Sequence, residues 1–94
     1  MDQKQREFLL SEFIGEKVLV KSSADRARQG VCGRIVDETR NTFAVKTEDG
    51  RKVVVPKKGS VFEFVDSGNV VDGNLVVARP EDRTKILAKR LAKR

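Results

Sequence analysis

The sequence predicts a mainly β domain, a small and strongly bent antiparallel barrel flanked by N- and C-terminal helices. Three observations predict it. Between residues 16 and 79 apolar side chains recur at every second position in short runs, the period of a strand with one buried face. Turn residues punctuate those runs. At both ends of the chain the period lengthens to that of a helix. The 94 residues suit one domain, 1–94, with an N-terminal helix over 1–15, a barrel over 16–79 and a basic C-terminal helix over 80–94.

Residues 3–14, QKQREFLLSEFI, read as the first helix, with Asp2 as N-cap and Gly15 as the stop. Leu9 and Phe13 fall one turn apart, as do Leu10 and Ile14, so one side is apolar. That side either packs on the domain's own sheet or meets a partner protein. In EKVLVKS, Val18 and Val20 share a face and Lys17 and Lys21 the other. SSADRARQG is a polar loop carrying Arg26 and Arg28. VCGRIVDE is a strand with Val31, Gly33 and Ile35 on one face, and Gly33 leaves room for a bend or a close backbone approach. TRNT turns the chain into TFAVKT, and Asp49-Gly50 is a hairpin turn leading to RKVVV. Pro56 ends that strand, and Lys57 and Lys58 should stand on an exposed corner before VFEFV begins. Ser67-Gly68-Asn69 is a further turn, and Asp72-Gly73 within VVDGNLVV should close a last small hairpin. Pro80 opens a helix over 81–93, with Glu81 and Asp82 in its first turn, an apolar stripe of Leu87 and Leu91, and basic Lys85, Lys89 and Lys93 at a spacing of four. Five to seven short strands between two helices suggest a barrel of the SH3 or Sm type.

Composition narrows the function. The chain has no histidine and one cysteine, which removes Ser-His and Cys-His catalysis, His-ligated metal centres and internal disulfides. Cys32 reads as a small core filler. Asp37 and Glu38 are neighbours in a strand, point to opposite faces and cannot form a paired acid/base site. No apolar run approaches the ~20 residues of a membrane helix, and the N-terminus lacks a signal-peptide pattern, so an intracellular, cytoplasmic protein is expected. The net charge is +6, of which residues 79–94 contribute +5. Such an excess points to nucleic acid or another acidic surface. The only aromatic residues are five phenylalanines in apolar patterns, so base stacking should be minor.

The runs FIGEKVLVKSS, GVCGRIVDETRNTFAV and VVVPKKGSVFEF, in that order over roughly residues 10–65, resemble the archaeal ribonuclease P protein component 1 family. The terminal helices follow in outline only. The resemblance implies an Sm-like core and a non-catalytic RNA-binding subunit of the ribonucleoprotein that removes the 5′ leader of precursor tRNA. The chemistry is then the RNA's, and so is the magnesium requirement, with no cofactor bound by this chain. The partners implied are the ribonuclease P RNA, the zinc-ribbon protein component 4, other ribonuclease P proteins and, indirectly, precursor tRNA, with no membrane. This chain has only a short N-terminal arm, where relatives can carry longer ones.

On this reading Lys57 and Lys58, within the family-matching VPK run, neutralise RNA phosphate. Arg26, Arg28, Arg40, Asn41, Lys85 and Lys89 are further RNA-binding candidates, and Leu9, Leu10, Phe13 and Ile14 are candidates for gripping the partner protein. DETRNT reads as structural first and RNA-proximal second. The rival readings are an SH3-like ribosomal or chromatin protein and an independent nuclease. The missing histidine and the lack of a carboxylate cluster count against the nuclease.

Overall fold

A computed structural model describes residues 3–83, 85 and 89. Helix α1 (Gln3–Leu10) leads into strands β1 (Lys17–Ser23), β2 (Cys32–Glu38), β3 (Thr42–Thr47), β4 (Lys52–Pro56), β5 (Ser60–Phe64) and β6 (Asn69–Asp72). Short 3-10 turns occupy Arg26–Arg28 and Gly73–Val76. A second helix, α2, begins at Pro80, and residues 80–83, 85 and 89 are helical. The six strands form one antiparallel sheet in the order β4-β3-β2-β1-β5-β6.

The period-two pattern puts Val18, Val20, Ile35, Val45, Val55, Phe62 and Phe64 on the inner face, all at 0–1% exposure. Phe13 fills the space between them. Its ring centroid lies 4.9 Å from that of Phe64 and 5.9 Å from that of Phe43, and Phe43 meets Phe62 edge-on at 5.1 Å.

Three devices bend the sheet. β1 carries a bulge between Val20 and Ser22, and β2 one between Ile35 and Asp37. At Gly33, a β-carbon would fall well inside contact distance of the Lys46 carbonyl, so β2 and β3 approach there as only glycine allows. The bend carries the end of β4 round to the turn after β6, where Gly73 presses its bare α-carbon against the Lys57 carbonyl. The barrel closes at this contact without a β4–β6 ladder among the described residues.

Several expectations change. α1 ends at Leu10, four residues early, because the Ser11 hydroxyl donates back to the Phe8 carbonyl at 2.6 Å and the chain turns away. Phe13 therefore enters the core from an irregular segment. Met1 and Asp2, and so the N-cap, lie outside the described residues, as do Leu87, Leu91 and Lys93. The second hairpin at Asp72-Gly73 is not formed. Asp72 instead caps a 3-10 turn, accepting a bond from Asn74 N at 2.9 Å. The loop after β1 contains its own 3-10 turn, capped in the same way by Asp25. Cys32 is half-buried rather than a sealed core filler. The Asp49-Gly50 hairpin forms, with Gly50 at φ 87.

Candidate nucleic-acid interface

One end of the barrel gathers most of the expected RNA-binding side chains. The chain leaves β1 at Ser23 and enters β5 at its register partner Ser60, whose hydroxyl lies 3.1 Å from that of Ser23. Ala24 N then bonds the Gly59 carbonyl at 2.9 Å. Lys57 N bonds the Asn41 carbonyl at 2.8 Å, which ties the β4–β5 corner to the β2–β3 turn. That turn is fastened by Thr39 and Thr42, whose hydroxyls are 2.7 Å apart. Asn41 has a negative φ there, since no residue other than glycine has a positive one among the described residues, so it serves through its carbonyl and not through left-handed tolerance. Arg26, Arg40, Asn41 and Lys58 are all exposed around this end.

Arg28 is committed elsewhere. Val54 lies between positions that bond to β3, so its carbonyl faces the open edge of β4. Arg28 Nε donates to that carbonyl at 2.9 Å. The side chain therefore covers an unpaired strand edge and is half-buried. Lys85 and Lys89 are exposed on α2.

Lys57 is not on the surface. Its side chain is 0% exposed, and Nζ donates to Glu38 Oε2 at 2.8 Å and to the Ala78 carbonyl at 2.9 Å. It also lies 4.9 Å from the centroid of the Phe43 ring. Arg83 completes the cluster from α2. Nη1 donates to both Glu38 oxygens, at 2.8 and 2.7 Å, Nη2 donates to the Ser11 carbonyl, and the guanidinium stacks 3.8 Å from the Phe13 ring. One carboxylate thus holds two cations, and the three side chains join the ends of β2 and β4, the segment after β6, α2 and the exit from α1. The expected exposed corner holds for Lys58 alone, because Lys57 continues the inward parity of Val53 and Val55. Burial lowers the Lys57 pKa below the ordinary lysine value. Glu38 opposes that shift and Arg83 adds to it.

The candidate partner grip divides in the same way. Leu9 and Phe13 are 4% and 0% exposed in the domain's own core, and Leu10 packs partly against it. Ile14, 42% exposed, is the one of the four whose side chain stands clear of the core. The parting of Asp37 and Glu38 to opposite faces is as expected, one exposed and one buried. Sequence reasoning missed Glu38 and Arg83 as the organisers of the cluster. The signal available was the parity of Lys57, which shares its phase with half-buried Val53 and fully buried Val55.

A family model described as "Ribonuclease P/MRP, subunit p29" matches residues 6–86. The chain belongs to that family. Relatives called "Ribonuclease P protein component 1" are similar along most of their length. That of Methanocaldococcus jannaschii is 47% identical over 79 residues, covering 82% of this chain and 83% of the relative. That of Methanothermobacter thermautotrophicus is 46% identical over 83 residues, covering 85% and 89%. A solved structure, described as that of Mth11, a homologue of the human RNase P protein Rpp29, superposes with a TM-score of 0.57 at 46% identity, covering 78% of this chain and 97% of that one. The p29 family match runs from the middle of α1 through the whole barrel and into α2, so it includes Glu38, Lys57 and Arg83.

Proposed function

We propose that this p29-family chain is a non-catalytic, RNA-binding protein subunit of an archaeal ribonuclease P, supporting the RNA subunit in removing the 5′ leader of precursor tRNA. The observation that carries the reading is the family match over residues 6–86, on a chain whose exposed cations surround one end of a rigid barrel. Lys58, Arg26 and Arg40 neutralise phosphate there, with Lys85 and Lys89 on α2 extending the basic surface. These side chains position RNA and do not read its bases. Among the described residues no group of three or more His, Cys, Asp or Glu side chains could hold a metal. The magnesium requirement of the holoenzyme is assigned to the RNA.

The zinc-ribbon protein component 4 is the proposed protein partner, met through Ile14 and the exposed part of Leu10. The other ribonuclease P proteins complete the complex, and the proposed location is the cytoplasm. No helix among the described residues is long and apolar enough to cross a membrane. Reconstitution tests the reading. The RNA subunit and its other proteins should process precursor tRNA better with this chain than without it, and the chain alone should leave precursor tRNA uncut. Cleavage by the purified chain at the mature tRNA start, surviving contamination controls, would overturn it.

A further inference from the structure

Register places four cations in a line across the outer face of the sheet. Lys52 on β4 pairs with Lys46 on β3, and Lys46 pairs with Arg34 on β2. Arg34 pairs with Lys17 on β1. Each alternates with inward-facing residues, buried Val18 beside Lys17, Gly33 and Ile35 beside Arg34, Val45 beside Lys46 and half-buried Val53 beside Lys52, so all four side chains project outward. With strands roughly 4.8 Å apart, the row runs about 14 Å. Lys17, Arg34 and Lys46 line one groove of about 350 Å³ together with Gly33, Val36 and Glu48.

Such a row is unfavourable in the isolated protein. Like charges directly opposite one another destabilise a sheet, and here three consecutive cross-strand pairs are cation against cation. Little compensates them. Glu48, at 4.0 Å from Lys17, is the nearest carboxylate, and it is 89% exposed. Asp49 is taken by Arg51 at 2.9 Å. Arg34 donates to the Gly15 carbonyl, and neither Lys46 nor Lys52 has a carboxylate within 4.0 Å among the described residues. The row is an evenly spaced line of positive charge held on rigid strands, without an aromatic anchor of the kind that dominates protein–protein interfaces.

We propose that the row Lys52–Lys46–Arg34–Lys17 is a second RNA-binding surface, a track that lies along a phosphodiester backbone and whose mutual repulsion is relieved by it. This rests on the ribonuclease P reading and adds to it a surface distinct from the Lys58 end. A phosphodiester strand is itself a line of regularly spaced anions, and the sheet spaces its cations with matching regularity. Lysine and arginine in such a row meet phosphate without selecting bases.

The row predicts opposite signs for stability and binding. Lys46→Glu turns two repulsive cross-strand pairs into attractive ones, so the melting temperature of the free protein should rise. Its affinity for the ribonuclease P RNA subunit should fall. In Lys46→Ala/Lys52→Ala, the slope of log affinity against log salt should drop by about 0.7–0.9 for each phosphate no longer neutralised, which is roughly four- to fivefold in affinity per phosphate near 0.15 M salt. Lys21→Ala removes the same charge from a lysine paired with Glu63 outside the row, and should leave the slope unchanged. A double alanine variant that binds the RNA with wild-type affinity and slope overturns the track while leaving the ribonuclease P reading intact. So does a slope that falls equally for Lys21→Ala, which would mean net charge alone. Wild-type protein that fails to bind the RNA subunit at low salt overturns both. Preference of the wild type for polyglutamate over the RNA overturns the track in favour of an acidic protein surface.

Discussion

Lys57 Nζ lies 2.8 Å from Glu38 Oε2, and both side chains are wholly buried. A pair separated by nineteen positions in the chain thereby ties the end of β2 to the corner after β4. Glu38 also holds Arg83 at 2.7 Å. Removing one partner from a buried ion pair costs about 3–5 kcal/mol, because the other charge is left without compensation. Lys57→Met leaves Glu38 with Arg83 and should fall near the lower end of that range. Glu38→Gln strands two cations and should cost more than Lys57→Met. Urea unfolding of both variants, with m-values compared to confirm two-state behaviour, checks the order. Equal or smaller loss for Glu38→Gln would mean that the carboxylate is not the centre of the cluster.

Burial lowers the Lys57 pKa, and this gives the cluster a pH dependence. Between the lowered folded value and the ordinary 10.5, the unfolded chain binds more protons than the folded one at this group. Stability contributed by Lys57 therefore rises as the pH climbs through that window. Below the window the penalty for burying the ammonium is present in full. The stability of wild type minus that of Lys57→Met, followed through the alkaline range, should increase with pH. A difference that stays flat or declines would show that the ion pair with Glu38 outweighs desolvation.

Glycine carries the bend at Gly33. Adding a β-carbon there drives it into the Lys46 carbonyl, which is backbone and cannot rotate aside. Overpacking of this kind costs about 1–3 kcal/mol, and here it forces β2 from β3. Gly33→Ala should lower the melting temperature by several degrees. Gly68→Ala is a useful contrast, because nothing lies near its β-carbon position and only its φ of 76 opposes the change. Loss at Gly33 no larger than at Gly68 would remove the close approach as the reason for glycine.

The partner surface can be tested with a variant that keeps the fold. Phe13 is fully buried among Phe8, Phe43 and Phe64, so Phe13→Asp should unfold the domain. Ile14 is exposed, and surface substitutions usually stay within ~0.5 kcal/mol. Ile14→Asp should retain the circular dichroism of the wild type and bind the zinc-ribbon subunit more weakly in calorimetry. Normal binding by the folded variant would place the grip elsewhere.

The strands and turns were legible because each is written locally, in alternating valines and phenylalanines and in Asp49-Gly50 and Ser67-Gly68-Asn69. Lys57 was half legible. It shares the phase of Val53 and Val55, yet Pro56 and Gly59 read as a corner, and a lysine is almost never fully buried without a partner. Its partner was hidden by the bulge after Ile35, which shifts Glu38 onto the inner face. Arg83 sits on another helix altogether. The cation row was hidden for a different reason. Its members are spread over residues 17 to 52, and only strand register shows that they stand side by side. The end of α1 failed locally, because Leu9, Leu10, Phe13 and Ile14 fit a helical period that the Ser11 bond to Phe8 interrupts.

Lys58 remains the test of the barrel end. Substituting both lysines of the corner would confuse a buried charge with a surface one, so the single change is informative. Lys58 is exposed and the backbone around it is fixed by Lys57 N on Asn41 and Gly59 N on Asn74 Oδ1. Lys58→Ala should therefore leave stability within ~0.5 kcal/mol of wild type. It should weaken binding to the ribonuclease P RNA and lower the slope of log affinity against log salt by about 0.7–0.9, the signature of one phosphate no longer neutralised. Lys58→Glu should weaken binding further through repulsion. Titrations at several salt concentrations check both. Unchanged affinity and slope in Lys58→Ala would mean that the corner faces solvent, and that Arg26 and Arg40 meet RNA at this end without it.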